Sequence, residues 1–336
     1  MAPRLIGGIA LPAVKSDNAG LPEASDPAMS SPDSAPAVSR SGLPGLVLGA
    51  VLIGFAAIIV RLVDVGPTAA AFWRLAIAVP VLGLLRWRLQ SRSEEPPDRR
   101  ALGLMLLAGI AFALDLALWH RSIHLTAVAN ATLMSNLSPV FIALTLHFGF
   151  GDRHPPRFWI GLALALIGAG VLVADSFRIS HETAIGDLLA VGTAVFYAIY
   201  QLLVSRSRRR YSALDVMFYA SLAGAALLLP MALLSGERLL PTGPRDIALL
   251  LALGLVVHIG GQGLIAWAQA HVTASFASVT LLVQPVAAAV FAWVLLGEGF
   301  GLQQTLGGIV ILAGILNCRL AMPSPILPSN PPRASP

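Results

Sequence analysis

The 336-residue sequence has a single cysteine, Cys318, and a single lysine, Lys15. One cysteine excludes an intramolecular disulfide and any cysteine-based metal centre, and leaves Cys318 as an inert thiol in the last apolar segment. Charge is scarce as well. Only 12% of residues are Asp, Glu, Lys or Arg, about half the share of an ordinary soluble domain, which excludes a water-facing surface over most of the chain. The motifs of a zinc hydrolase, a nucleophile elbow or a phosphate-cradling loop (HExxH, GxSxG, Walker-type) are missing. No cofactor is expected, and no metal: His120 and His124 stand i, i+4 on one helical face, but no third ligand lies near them in sequence. The net charge of +5 sits on arginines in short polar breaks, such as Arg206, Arg208, Arg209 and Arg210. It reads as a topology signal, and no nucleic-acid partner is expected. The near-absence of lysine beside 21 arginines suggests GC-rich coding and a bacterial source.

What is present is apolar surface: 56% of residues are hydrophobic, in blocks of about twenty, the length that crosses about 30 Å of hydrocarbon. Residues 1–42 are rich in Pro, Ser, Asp and Ala and predict a disordered tail. Their opening MAPRLIGGIALPAV lacks a clear cleavage site, so no secretory signal is expected, and translation starting at Met1 or at Met29 stays open. Ten spans follow: Pro44 to Val63, Pro67 to Trp87, Ala101 to Trp119, Thr126 to Phe148, Phe158 to Ala174, Gly186 to Val204, Leu214 to Leu234, Ile247 to Ala268, Ala274 to Leu296 and Leu302 to Leu320. A short C-terminal tail, 321–336, closes the chain. With a cytoplasmic N-terminus, sixteen Lys and Arg fall on the inner side and five on the outer, with Arg74 inside a span. The positive-inside rule therefore predicts an inner-membrane protein with both termini cytoplasmic.

The chain also repeats itself. Shifting it by 146 residues lays Pro139 on Pro285, Gly151 on Gly297, Gly161 on Gly307 and Gly168 on Gly314; one residue of slip lays His124-Leu-Thr-Ala on His271-Val-Thr-Ala. The halves, 43–175 and 186–320, hold five spans each. An odd number forces the second copy to insert upside down, the plan of many alternating-access transporters. The predicted fold is an all-α membrane protein of ten transmembrane helices in two inverted five-helix repeats.

Particular stretches resemble a known family. FALDLALWHRSIHLTAVANATLMSNLSPVFIAL, followed by GD and IGLALALIGAGVLV, is similar to the third to fifth helices of an EamA domain of the drug/metabolite transporter superfamily. IAWAQAHVTASFASVTLLVQPVAAAVFAWVLLGEGFGLQQTLGGIVILAGILN repeats the pattern, with Pro285 in mid-helix and a turn at Glu298, and FWRLAIAVP around Arg74 is similar to the second-helix motif. The first repeat departs from the family's usual Gly-Glu-Arg turn with Gly151-Asp152-Arg153. The resemblance implies ten helices, cytoplasmic termini and a central substrate cavity lined by helices 1 to 4 and 6 to 9. It names no substrate, because these are packing and turn motifs.

Ionisable groups inside a span are costly and mark partners or pathways. Arg74 and Asp115 fall at similar depths in helices 2 and 3. An ion pair pinning the two helices, an arginine reaching outward, and a substrate-contacting or titrating group are the three readings. A shift of 147 lays Asp115 on Gln262, near His258 in LVVHIGGQG, where an imidazole bonded to a neighbouring helix competes with a cavity role. Pro139 and Pro285 each remove a helical hydrogen bond at mid-span, beside Asn136 and Gln284, and would act as packed kinks or as cavity-lining hinges. Tyr197 is a further polar group in a span, with Asn130, Ser135, Tyr200 and Gln201, and Trp119 is an interfacial anchor or a gate. The expected partners are the lipid bilayer and a small molecule, amino-acid-like because Arg74 and Asp115 together suit a dipolar one; oligomeric state stays open. A membrane-embedded enzyme is the competing class, but the best polar cluster lacks a nucleophile.

Overall fold

The computed structural model of the protein describes residues 42–89, 96–126, 128–174, 184–297 and 301–321. The predicted N-terminal tail, the C-terminal tail beyond Ala321, the turn at Glu298 and the side chains of His124 and Asn130 lie outside the described residues. Ten helices are long and apolar enough to cross a membrane: α1 (Gly42–Leu62), α2 (Pro67–Leu89), α3 (Arg99–Ser122), α4 (Ala131–Gly149), α5 (Pro156–Val173), α6 (Ala184–Arg208), α7 (Ala213–Leu234), α8 (Pro244–Ala268), α9 (Ala274–Leu295) and α10 (Leu302–Ala321). Their ends follow local chemistry. Asp98 caps α3 by accepting from the Ala101 amide at 2.7 Å, Ser212 caps α7 through the Asp215 amide at 3.1 Å, and Pro156 and Pro244 occupy first-turn positions where a missing N–H costs nothing. Gly297, at φ 68°, stops α9 in the left-handed conformation that a Cβ disfavours.

The packing is exchanged between the halves. α3 packs on α6 and α7 while its counterpart α8 packs on α1 and α2; α4 packs on α6 while α9 packs on α1; α5 pairs with α10 and α2 with α7. This is the pattern an inverted duplication requires. Lipid tails are as apolar as leucine, so close backbone contact has to hold such helices together. Between α5 and α10 it does: a Cβ on Gly161 would stand 2.8 Å from the Gly314 carbonyl oxygen, and one on Gly314 would stand 2.5 Å from the Ala165 amide nitrogen.

Four spans are not plain α-helices. α1 is interrupted at Phe55. α4 is interrupted at Asn136 and Leu137, just before Pro139, and α9 at Leu281 and Leu282, just before Pro285. α8 changes over Leu253–Gln262 to the wider π-helix, with i to i+5 bonding. α3 by contrast runs unbroken from Arg99 to Leu125, past the end expected at Trp119.

Candidate functional site

A cavity of about 450 Å³ opens between the helices. Its lining runs from mid-bundle, at Gln262 and Ser278, to the end where α1, α3 and α5 finish, at the exposed Arg61 and at Val173. Toward the other end the bundle is closed by packed apolar side chains, among them Leu46, Ile265, Val272, Phe276 and Val279. Helices α1 to α4, α6, α8 and α9 contribute lining, and so do Leu172 and Val173 of α5. Among the described residues α7, expected in the lining from the family resemblance, contributes none, because it lies behind α2 and α3 and packs on both.

Two opposite charges face this space. Arg74 and Asp115 are each only 7% exposed, and both line the cavity. The Arg74 guanidinium lies 5.4 Å from the centre of the Phe112 ring, a cation–π contact, and its Nε has no hydrogen-bond partner. The Thr193 hydroxyl donates to the main-chain oxygen of Asp115 at 3.4 Å. Among the described residues no ion pair within 4 Å joins Arg74 to Asp115, so the helix-pinning pair is not what the side chains form. Depth is legible from sequence and azimuth is not: both side chains turn to the cavity instead of to each other. A buried charge without a partner is costly.

Amides and phenols form the floor. Gln262 Nε2 donates to the Tyr200 hydroxyl at 3.0 Å, Gln201 Nε2 to the Tyr197 hydroxyl at 3.3 Å, and Gln269 Nε2 to Gln201 Oε1 at 2.6 Å. Gln284 lies beside Tyr197 with its Nε2 unpartnered. Gln262, Gln284 and Tyr197 reach the cavity, as do Asn136 and Ser135; Trp119, toward the C-terminal end of α3, also lines it, edge-on to His120 at 5.1 Å between ring centres. His258 does not line it. It is 1% exposed behind the wall, where Nε2 meets the Ser221 hydroxyl at 2.8 Å and the ring stacks on Phe112 at 5.8 Å.

Pro139 and Pro285 both line the cavity, each just beyond the break in its helix. The α9 break lies against α1: a Cβ on Gly54 would stand 3.0 Å from the Gln284 carbonyl oxygen and 2.8 Å from the Ala287 Cβ. His120 also lines the cavity, and Thr132, Ser138, Thr193 and Ser278 add hydroxyls to the lining. None of these hydroxyls was singled out in the sequence, because a hydroxyl in a membrane helix ordinarily bonds its own helix backbone, as Ser278 does with the Ser275 carbonyl at 2.8 Å.

An inverted-repeat bundle with a charged central cavity belongs to the class of membrane transporters, and comparison with known proteins specifies which kind. The EamA-like transporter family matches residues 40–174 and again 184–318. The chain belongs to that family. It is 29% identical over 277 residues to an uncharacterized transporter of Archaeoglobus fulgidus, covering 82% of this chain and 96% of that one. It is similar to a probable terminal-alkyne amino-acid exporter of Streptantibioticus cattleyicolor (29% identity, 78% and 87% covered) and to the pseudopaline exporter of Pseudomonas aeruginosa (26%, 73% and 83%). A crystal structure superimposes with a TM-score of 0.72 at 21% identity, covering 84% of this chain and 98% of the other, which establishes likeness of fold. The protein is a multi-pass membrane transporter.

Proposed function

We propose that the protein is an inner-membrane secondary transporter that carries a small amino-acid-like metabolite by alternating access of its two repeats, with both termini cytoplasmic. The observation that carries this reading is the pair of buried, mutually unbonded, opposite charges facing one cavity. A zwitterion offers each its complement, a carboxylate for the Arg74 fork and an ammonium for Asp115, as charge-assisted hydrogen bonds, and among the described residues neither group has an ion-pair partner. The names of two relatives, an amino-acid exporter and a pseudopaline exporter, agree with that chemistry.

Two bodies would move. α8 and α9 pack on α1, and α3 and α4 pack on α6, so rocking one trio against the other would close one end of the cavity and open the other. The breaks at Phe55, at Asn136–Leu137 and at Leu281–Leu282 are positioned to absorb the bend. With an N-in orientation the cavity faces the periplasm, an outward-facing state. No nucleotide-binding motif supplies a chemical engine, which favours gradient-driven transport.

Reporter fusions in the 90–98 loop and at Arg209 are expected to report the cytoplasm; periplasmic activity at either would reverse the topology. Purified protein in liposomes is expected to exchange radiolabelled L-alanine or L-leucine across the bilayer and to leave L-glucose in place. Equal leakage of all three, or retention of all three, would refute the substrate class.

A further inference from the structure

The charges and amides account for part of the cavity wall, and the adjoining part has a different character. On α1, the lining residues Ile53 to Val60 are all apolar, and a polar one appears only at the exposed rim, Arg61. On α9, the lining residues beyond Pro285 are Ala288, Ala289 and Ala292. These two helices form one surface, held by the close approach at Gly54 and by Phe55 edge-on to Phe291 with ring centres 4.8 Å apart. Small residues alone would mean packing. Here they border the space that Arg74 and Asp115, each more than nine-tenths buried, also line, and Arg74 brings to it an Nε with no hydrogen-bond partner.

We infer that the alanine wall of α1 and α9 is the side-chain subsite of the transporter: it selects neutral, apolar amino acids of branched-chain size, while Arg74 and Asp115 hold the carboxylate and ammonium. This inference rests on the amino-acid-like reading and names the class within it. The physical reasons are two. Alanine methyls leave room that a larger wall residue would fill, and 450 Å³ is ample for a leucine. An apolar wall also has nothing to hydrogen-bond a charged side chain, whose desolvation would go uncompensated. Each methylene buried on the wall gains affinity by up to about fourfold, so binding should rise from glycine through alanine and valine to leucine. Glutamate and lysine should bind at least about 100-fold more weakly than leucine.

The test is competition against radiolabelled L-leucine in liposomes containing the full-length protein, with glycine, L-alanine, L-valine, L-leucine, L-phenylalanine, L-glutamate and L-lysine as competitors. Two wall variants accompany it. Ala289→Leu is expected to lower the preference for leucine over alanine by about tenfold or more, since one misplaced methylene in a hydrophobic pocket costs about that much. Ala289→Gly should shift preference the other way, toward phenylalanine; it covers the case in which the larger residue disturbs folding, and both are checked for monodispersity in detergent. Competition by glutamate or lysine equal to that of leucine, or preferences unmoved in both variants, would overturn the subsite. Wild-type protein that no amino acid reaches would instead overturn the amino-acid-like reading itself, and the subsite with it.

Discussion

Helices α3 and α8 hold equivalent places in the two repeats, and they are wound differently. Gly109 of α3 packs on the α7 main chain at Ala220, and Gly254 of α8 packs on α2 at Ile77 and the Arg74 carbonyl. α8 winds in the wide turns of a π-helix over Leu253–Gln262, a form that recurs at functional sites, whereas α3 is α-helical throughout. α3, uninterrupted, presents a carboxylate to the cavity from Asp115, whereas α8 presents the Gln262 amide and turns His258 away to Ser221. The difference teaches how the two copies of a duplicated scaffold diverge. Glycine and proline positions such as Gly161 and Gly307 or Pro139 and Pro285, which govern packing and bending, are kept in both copies, while among the described residues the Arg and Asp side chains that line the cavity, Arg61, Arg74 and Asp115, all come from the first.

The widest gap between the two helices should appear in transport. Asp115→Asn is expected to cut uptake by about 100-fold, because a charge-assisted bond to the substrate is worth about 1.5–3 kcal/mol, and Gln262→Ala by about tenfold or less, as for a neutral bond. Initial rates in liposomes, on protein that elutes as a single peak, give both numbers. Equal losses would erase the distinction between a charged and a neutral repeat.

Packing should separate the helices next. A Cβ on Gly109 would run into the Ala220 main chain, which has no way to yield, whereas one on Gly254 would meet Ile77 at its Cγ2 (2.7 Å) and Cβ (2.8 Å), a milder overlap that a small shift of α2 relieves. Gly109→Ala should therefore destabilise by about 3 kcal/mol and Gly254→Ala by about 1 kcal/mol, within the usual range for overpacking. Thermal unfolding of the detergent-solubilised variants measures the order, and a reversal would mean that the two contacts have been equated wrongly.

The smallest effect sharpens the role of His258. Ser221→Ala removes the hydroxyl facing Nε2 and should cost about 1 kcal/mol of stability, with uptake changed by less than about twofold because neither residue lines the cavity. A large loss of uptake with stability intact would bring His258 into the transport path.

These contrasts also explain what the sequence discloses. Ten spans, the repeat and the positions of Pro139 and Pro285 are legible because hydrophobic length, periodic identity and a missing N–H leave marks in one dimension. Arg74 and Asp115 stand out because ionisable groups in apolar runs are rare. Their failure to pair is not legible, since side-chain direction depends on helix rotation within the bundle. The slip between offsets 147 and 146 is visible in the sequence and falls between His271 and Pro285, whereas the π-helix of α8 leaves no such mark and is seen only in the backbone. The alanine wall is invisible in advance: Ala57 and Ala289 read as packing residues until a cavity is found in front of them.

The central claim is that this cavity holds the substrate, and protection of a cysteine inside it tests that most directly. In a Cys318→Ala background, a cysteine at Ser135, on α4 and in the lining, would be treated with a membrane-impermeant maleimide in right-side-out vesicles, with and without saturating L-leucine. The account predicts labelling from the outer face, slowed by about tenfold or more when leucine is bound, as expected for a site occupied most of the time. Labelling at the same rate with and without leucine, in protein that transports leucine, would contradict it.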